Sequence, residues 1–181
     1  ARGVRLVPDL DALLSLRADI DVVTVPVGIH LHVPMASKAL EAGYAVYLEK
    51  PLVGAVQDAL RLKETAKRCR GPLFIGYQDC FQPAVRALKR DLLSGSLGRL
   101  KKVVVMAAWP RYKRYYERNN WAGKLRIGDT YALDCPVNNA CAHYLNLALF
   151  WAGKTEKESA RPASVTAELY RANPIESADT T

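Results

Sequence analysis

A charged pair followed by proline, Glu49-Lys50-Pro51, is the first place in this sequence where the residue types suggest chemistry. The pair follows Tyr44–Leu48, a predicted strand, and precedes Leu52–Arg70, a predicted helix. Proline suits the first turn of a helix, and ligands of open α/β sheets bind at the carboxyl ends of the strands. Glu49 and Lys50 could hold a cofactor there and present an ammonium to a substrate oxygen. The alternative is a surface salt pair at the exit of a strand.

A polar stripe near the C-terminal end is the second candidate. Asn139 and His143 are four residues apart, and Asn146 lies one turn further on. In a predicted helix over Asn138–Trp151, residues at this spacing share one face. A histidine on such a face can give or take a proton near neutral pH. The alternative is a core histidine whose ring is satisfied by a backbone carbonyl.

A loop rich in aromatic and basic residues is the third candidate. Sugar-binding sites favour aromatic faces with hydrogen-bonding edges, whereas a protruding loop can equally make a dimer contact. The residues concerned are Trp109, Arg111, Tyr112, Arg114, Tyr115 and Trp121.

The four cysteines do not form a recognisable framework. Cys69, Cys80, Cys135 and Cys141 include no C-x-x-C pair, so we expect buried thiols and no disulfide scaffold. A metal site formed by Cys135, Cys141 and His143 would match no zinc spacing and would lack an evident fourth ligand. We therefore expect no bound metal.

The composition indicates a folded, basic, globular protein. The 181 residues are 50% hydrophobic and 24% charged, which excludes disordered, collagenous and low-complexity classes. No apolar run approaches the roughly 18 residues that span a bilayer, so we expect no membrane association. The net charge of +8 favours anions such as a phosphate-bearing cofactor. Basic residues alternate with tyrosines in Arg111–Arg118, but no block of five like charges occurs, and nucleic acid is not the expected main partner.

The first part of the chain alternates strand and helix patterns, which predicts right-handed crossovers and a parallel sheet. The predicted strands are Val4–Val7, Asp21–Val27, Tyr44–Leu48 and Leu73–Gly76, and the predicted helices are Asp11–Leu16, His32–Ala42 and Leu52–Arg70.

After residue 78 the rhythm changes, which predicts a domain boundary between residues 1–78 and 79–181. A long loop separates the later elements, Pro110–Thr130. The predicted elements are helices over Gln82–Leu93 and Asn138–Trp151 and strands over Lys101–Trp109 and Val165–Tyr170.

Together these motifs resemble a family, that of the glucose–fructose oxidoreductases, inositol dehydrogenases and rhizopine-catabolism dehydrogenases. The resemblance runs through most of the chain. Its first part rests on the strand Val22–Val27, His32, Ala42-Gly43, Val46 and Glu49-Lys50-Pro51, and its second part on Trp121-Ala-Gly-Lys124 and Asn138-Asn-Ala-Cys-Ala-His-Tyr144.

The resemblance implies an α/β fold in two parts. An incomplete Rossmann-like parallel sheet, lacking its first βαβ half, would bind NAD or NADP. Part of an α+β domain with an open, mostly antiparallel sheet would follow, carrying substrate and building a homo-oligomer interface. The family's G-x-G-x-x-G is absent, since no two glycines are separated by one residue. We therefore expect an internal fragment that is itself inactive and binds dinucleotide weakly.

The resemblance also assigns residues. Lys50, His143 and Asn139 would be catalytic, and substrate would contact these three and Arg111. Asn139 stands where the family usually has aspartate, so Asp134 is the nearest carboxylate substitute, and Tyr144 is a secondary acid/base candidate. The cofactor contacts would be Pro26, Val27, His32, Glu49, Lys50 and Trp121.

The implied activity is hydride transfer between nicotinamide and a hydroxyl or carbonyl of a sugar, cyclitol or related polyol, in the cytoplasm. Three alternatives remain open at this point: a non-catalytic relative acting as a sensor or scaffold, a basic nucleic-acid-binding module, and a nonproductive gene fragment.

Overall fold

A computed structural model describes residues 3–16, 20–168 and 170 of the chain. The chain divides into two compact units between Gly76 and Tyr77. This structural division falls two residues before the boundary predicted at residue 78. The predicted roles of the two domains remain predictions.

Unit 1 is built on a three-stranded parallel sheet. Its strands are β1 (Val22–Val25), β2 (Ala45–Leu48) and β3 (Leu73–Ile75), in the order β1-β2-β3. Val46 of the central strand is in register with Val23 and Leu73 on its two neighbours. Val46 and Leu48 are fully buried on one face of the sheet. Ala45 and Tyr47 on the opposite face are half-buried, and Phe74, the neighbour of Tyr47 on β3, is 56% exposed.

Three helices contribute to the core on the buried face of this sheet: α1 (Leu10–Ser15), α2 (His32–Glu41) and α3 (Val56–Cys69), with a 3₁₀ turn over Ile29–Leu31 before α2. Helix α1 begins after Asp9, whose carboxylate accepts the Ala12 N–H at 2.8 Å. Helix α3 begins four residues later than predicted because Ala55 has extended backbone and serves as its N-cap. Leu62 of α3 is fully buried, whereas Leu60 on the same helix is 56% exposed.

Unit 2 contains the 3₁₀ segment Gln78–Phe81, three α-helices and one short hairpin. The helices are α4 (Pro83–Ser94), α5 (Lys113–Glu117) and α6 (Ala142–Ala152). The hairpin pairs β4 (Arg126–Ile127) with β5 (Thr130–Tyr131) in antiparallel fashion. Gly128 in its turn has φ +55°, which favours glycine. A parallel sheet followed by an antiparallel pairing confirms the predicted α/β fold class.

Three predicted strands are wrong for the residues that the structure describes: Val4–Val7, Lys101–Trp109 and Val165–Tyr170. Strand-like sequence becomes a strand only when a neighbour completes its hydrogen-bond ladder. None of the described strands pairs with these segments. Their apolar side chains are accordingly exposed, and Val4, Leu6 and Met106 are each 90% exposed. Residues 169 and 171–181 lie outside the described part of the chain.

Lys89 joins helices α4 and α6 through the interior of unit 2. It is 1% exposed, and its Nζ donates to the carbonyls of Phe150 and Gly153, each at 2.5 Å. Burial lowers the pKa of Lys89 below its ordinary value. Gly153 is required by close approach, because a Cβ there would lie 1.9 Å from the carbonyl oxygen of Glu158. The C-terminal carbonyls of α6 are thus satisfied by a side chain from another helix.

No helix in the described residues is both long enough and apolar enough to cross a lipid bilayer.

Candidate active site

The Glu49-Lys50-Pro51 segment leaves the carboxyl end of β2, the central strand of unit 1. The backbone N–H of Glu49 still donates to the Val25 carbonyl at 3.3 Å, so the ladder continues to this point. The Glu49 carboxylate accepts the N–H of Lys50 at 3.1 Å, and the Lys50–Pro51 peptide is cis. Gly76 allows this arrangement, because a Cβ there would lie 3.2 Å from Glu49 Oε2. The sheet therefore places a half-buried lysine at its carboxyl edge, where ligands of open α/β sheets generally bind.

His32 joins the loops that follow β1 and β2. Its ring is fully buried, with Nδ1 2.9 Å from the Pro51 carbonyl oxygen and Nε2 3.1 Å from that of Val27. The predicted contact of His32 with a cofactor stays a prediction. His32 positions the two loops. Pro26 is exposed and Val27 is half-buried in the first of these loops.

His143 lies in the first turn of α6, beside the 3₁₀ segment that opens unit 2. Its Nδ1 is 3.5 Å from Oδ2 of Asp79, and its ring meets the edge of Tyr77 with centroids 5.9 Å apart. The His143 side chain is 18% exposed and the Asp79 side chain is 29% exposed. At 3.5 Å the contact is an ion-pair distance and not a hydrogen bond, and Nδ1 is buried without a hydrogen-bond partner. Sequence reasoning missed Asp79, because it lies 64 residues before the histidine.

The prediction that Asn139 and His143 share a helix face is wrong. Helix α6 begins at Ala142, and the residues from Pro136 to Cys141 form turns instead. The Cys141 N–H donates to the Pro136 carbonyl at 2.8 Å, five residues back and not the four of an α-helix. The Asn139 side chain donates to Asp134 Oδ1 at 2.6 Å. Asn139 is therefore engaged with a neighbouring carboxylate rather than presented beside the histidine on a helix.

Asp134 holds the loop that contains Trp121. It is 5% exposed, and its Oδ2 accepts the Gly123 N–H at 2.7 Å. Gly123 has φ +71°, and a Cβ there would lie 2.6 Å from the Tyr116 ring. The two oxygens of Asp134 thus receive a backbone N–H and a side-chain amide. These contacts indicate a structural role for this carboxylate.

A small cavity of about 240 Å³ lies within unit 2. Tyr77 lines this cavity and also contacts the ring of His143. Asn146 points its amide at Cys80 Sγ, at 2.9 Å, and burial raises the pKa of the Cys80 thiol. Asn146 is thus not part of a polar stripe with Asn139. The lining residues are Tyr77, Cys135, Val137, Asn138, Ala142, Leu145, Asn146 and Leu149.

The aromatic and basic loop forms a stack of alternating rings and guanidinium groups. Arg111 lies 4.7 Å from the ring centroid of Tyr115, and Arg118 lies 4.1 Å from the same centroid. Arg118 also faces Trp121 at 5.4 Å. Tyr144, on α6, meets Trp109 edge-on at 5.6 Å. Cation–π contacts of this kind hold exposed guanidinium groups in place.

The four cysteines are free thiols of intermediate exposure. Within the described residues, no three His, Cys, Asp or Glu side chains cluster in a way that could hold a metal ion. Cys135, Cys141 and His143 thus form no such group.

Residues 1–77 match the family described as "Oxidoreductase family, NAD-binding Rossmann fold". The dTDP-3,4-didehydro-2,6-dideoxy-alpha-D-glucose 3-reductase of Streptomyces violaceoruber is 34% identical over 96 residues, covering 53% of this chain and 28% of the reductase. Inositol 2-dehydrogenase of Acidothermus cellulolyticus is 33% identical over 99 residues, covering 54% of this chain and 28% of that enzyme.

Among solved structures, the WlbA dehydrogenase from Bordetella pertussis, in complex with NADH and UDP-GlcNAcA, is 25% identical with a TM-score of 0.71. The match covers 82% of this chain and 41% of that one. Each match therefore covers less than half the length of the relative.

Proposed function

Because residues 1–77 match the oxidoreductase family with an NAD-binding Rossmann fold, we propose that the intact protein is a dehydrogenase of sugars, cyclitols or related polyols. The proposed reaction moves a hydride between NAD or NADP and a carbinol or carbonyl carbon of the substrate. The relatives support this substrate class, since they include an inositol dehydrogenase and a reductase of a nucleotide-linked sugar.

One observation carries the proposal: Lys50 lies directly after the central strand of the parallel sheet, at the carboxyl edge of the sheet. The backbone there is fixed by the strand ladder, by Glu49 and by His32, so the lysine is held on a rigid element. A positioned ammonium can orient a substrate hydroxyl and stabilise the oxygen on which negative charge develops. This is the role that we assign to Lys50.

The residues present fit the nicotinamide side of a dinucleotide site. The loops after β1 and β2 are joined by His32 at the carboxyl edge of the sheet, and Gly76 packs closely against Glu49 there. In the proposal, Pro26, Val27, Glu49 and Trp121 contact the cofactor. The nicotinamide supplies the hydride chemistry when it is bound. Arg111 and His143 contact the substrate, and His143 exchanges the hydroxyl proton.

Replacing Lys50 with methionine in the intact protein tests the proposal. We expect kcat on a reactive polyol or sugar to fall by roughly 10²-fold or more. NADH affinity, followed by fluorescence titration, should change little because the cofactor keeps its other contacts. Activity is measured against a panel of polyols, cyclitols and sugars with both NAD and NADP.

The matched control is Lys63→Met, which removes an exposed ammonium from α3 of the same unit. This variant should keep the activity of the parent protein. An Lys50→Met enzyme as fast as the parent would overturn the assigned role, and an intact protein inactive on the whole panel would overturn the proposed reaction.

A further inference from the structure

We propose that Asp79 is the positioning residue for His143: its carboxylate accepts a hydrogen bond from the Nδ1–H of the imidazole and so sets the tautomer and orientation of the ring. The inference deepens the proposed function, on which its catalytic consequence rests. The carboxylate thus comes from the 3₁₀ segment Gln78–Phe81, and not from the residue four positions before the histidine.

The distances single out Asp79. Its Oδ2 lies 3.5 Å from His143 Nδ1, and that nitrogen is buried without a hydrogen-bond partner. A buried polar atom without a partner is costly, so a carboxylate within one small side-chain movement is its natural acceptor. Hydrogen bonds between catalytic groups are often long in unliganded proteins and shorten in the complex with substrate.

The surroundings restrict how the pair can move. The Tyr77 ring meets His143 edge-on, with an interplanar angle of 82°. Asp79 is held from its other side by Gln82, whose Nε2 donates to Asp79 Oδ1 at 3.0 Å. The second oxygen, Oδ2, is the one that faces the imidazole. One oxygen is therefore anchored to Gln82 while the other is directed at Nδ1.

The two other candidate partners are engaged elsewhere. Asn139 donates its amide to Asp134, at 2.6 Å. Asp134 also receives the Gly123 N–H and is buried in the loop that this bond fixes. An asparagine could in any case not stabilise an imidazolium by charge. Asp79 supplies the negative charge that position 139 lacks.

The chemistry follows from the two nitrogens of the ring. With the proton on Nδ1, directed at Asp79, Nε2 keeps a lone pair and can accept a proton. In the oxidation direction the substrate O–H bond would break and its proton would pass to Nε2, while a bound nicotinamide would accept the carbinol hydrogen as hydride. The resulting imidazolium faces the Asp79 carboxylate, which stabilises it. In the reduction direction each transfer is reversed.

The tautomer of His143 is the direct test. We expect ¹⁵N-histidine NMR of the intact protein at a pH where the ring is neutral to show Nδ1 protonated and Nε2 unprotonated. His143→Gln identifies the signals, because the chain contains three histidines. In Asp79→Asn the amide oxygen would accept from Gln82, as Oδ1 does now, and the amide NH₂ would face His143 Nδ1. Because an NH₂ group donates, Nδ1 should then be the unprotonated nitrogen and Nε2 the protonated one.

Two control variants distinguish the effect of the Asp79 carboxylate on the His143 ring from a general effect of substitution on the fold. Asp91→Asn removes an exposed carboxylate from α4 of the same unit and should leave the His143 signals unchanged. Asp79→Glu restores a carboxylate and should return the Nδ1-protonated form, which keeps the test valid if Asp79→Asn folds poorly. Nδ1 protonation that persists in a folded Asp79→Asn protein would overturn the inference.

The kinetic consequence is a loss in kcat with little change in KM. For Asp79→Asn we expect kcat to fall by about 10- to 10²-fold, because the base is misoriented while substrate contacts remain. A purely structural role for Asp79 would leave the tautomer unchanged. Failure of the proposed reaction would instead leave the NMR result intact while no substrate is turned over, so the two failures can be told apart.

Discussion

The buried Lys89 side chain makes the stability of unit 2 depend on pH. Its ammonium donates to carbonyls at the C-terminal end of α6 and lies 5.1 Å from the Phe150 ring. Because burial disfavours the charged form, the pKa of Lys89 is lower in the folded protein than the value of 10.5 that it has when unfolded. As the pH rises through the interval below 10.5, the folded state releases this proton first. The unfolded state then binds more protons, so stability rises with pH.

The comparison of the parent protein with Lys89→Met checks this. We expect the difference in melting temperature, parent minus variant, to increase from neutral pH towards pH 10.5. Burial raises the pKa values of Tyr77 and Cys80, which lowers the stability of both proteins at alkaline pH and so cancels in the difference. Lys63→Met should give a difference that does not change with pH. A flat difference for Lys89→Met would contradict the expectation.

At the scale of single residues, the sequence predicted the place of some residues and missed that of others for definable reasons. The place of Lys50 at the edge of the sheet could be predicted because an apolar strand precedes it and a helix follows; its chemical role stays a prediction. The Asp79 contact could not be predicted, since it joins residues far apart in sequence. The prediction for Asn139 assumed a helix that continues back to residue 138. The turns before Ala142 place its side chain on Asp134 instead.

Helix α3 illustrates how an amphipathic element is read from sequence. Leu62 is fully buried in the core of unit 1, beside residues of β2 and α2, whereas Leu60 is 56% exposed. We expect Leu62→Ala to lower the free energy of unfolding by about 2–5 kcal/mol, since it removes buried methyl groups and leaves a cavity. Leu60→Ala should cost within about 0.5 kcal/mol. Urea denaturation followed by circular dichroism measures both, and equal losses would show that the helix face has been misassigned.

Elements with local signals were predicted well, and elements that depend on distant partners were not. Strands β1, β2 and β3 have continuous apolar character and are bounded by turn residues, so they lie within their predicted ranges. The segment Lys101–Trp109 has the same character and is not a strand. The sequence of a segment does not show whether another strand is available to complete its hydrogen-bond ladder. Val104 is 61% exposed and Met106 is 90% exposed for that reason.

For the whole molecule, the match of residues 1–77 confirms the resemblance drawn from the motifs. The family signal was readable because Ala42-Gly43 and Glu49-Lys50-Pro51 stand at fixed places between helix and strand. The chain has no pair of glycines separated by one residue. In a dinucleotide fold such glycines let the backbone approach the pyrophosphate.

We therefore expect this 181-residue chain, purified alone, to show no saturation with NADH at micromolar concentrations. The intact protein should saturate in the same range, by fluorescence titration, and serves as the control. Circular dichroism first establishes that the chain is folded, so that weak binding is not mistaken for unfolding. Micromolar affinity of the folded chain would contradict this expectation and would mean that its own loops suffice to hold a dinucleotide.

Gly153 has a consequence for how this protein tolerates variation. The carbonyl oxygen of Glu158 would lie 1.9 Å from a Cβ at position 153, and Lys89 Nζ would lie 3.0 Å from it. The side chain of every other amino acid would force the backbone at Glu158 away from position 153. The residues around Gly153 in the sequence do not indicate this close contact. In a saturation library selected for folded protein, position 153 should retain its original codon more completely than the exposed loop positions around it.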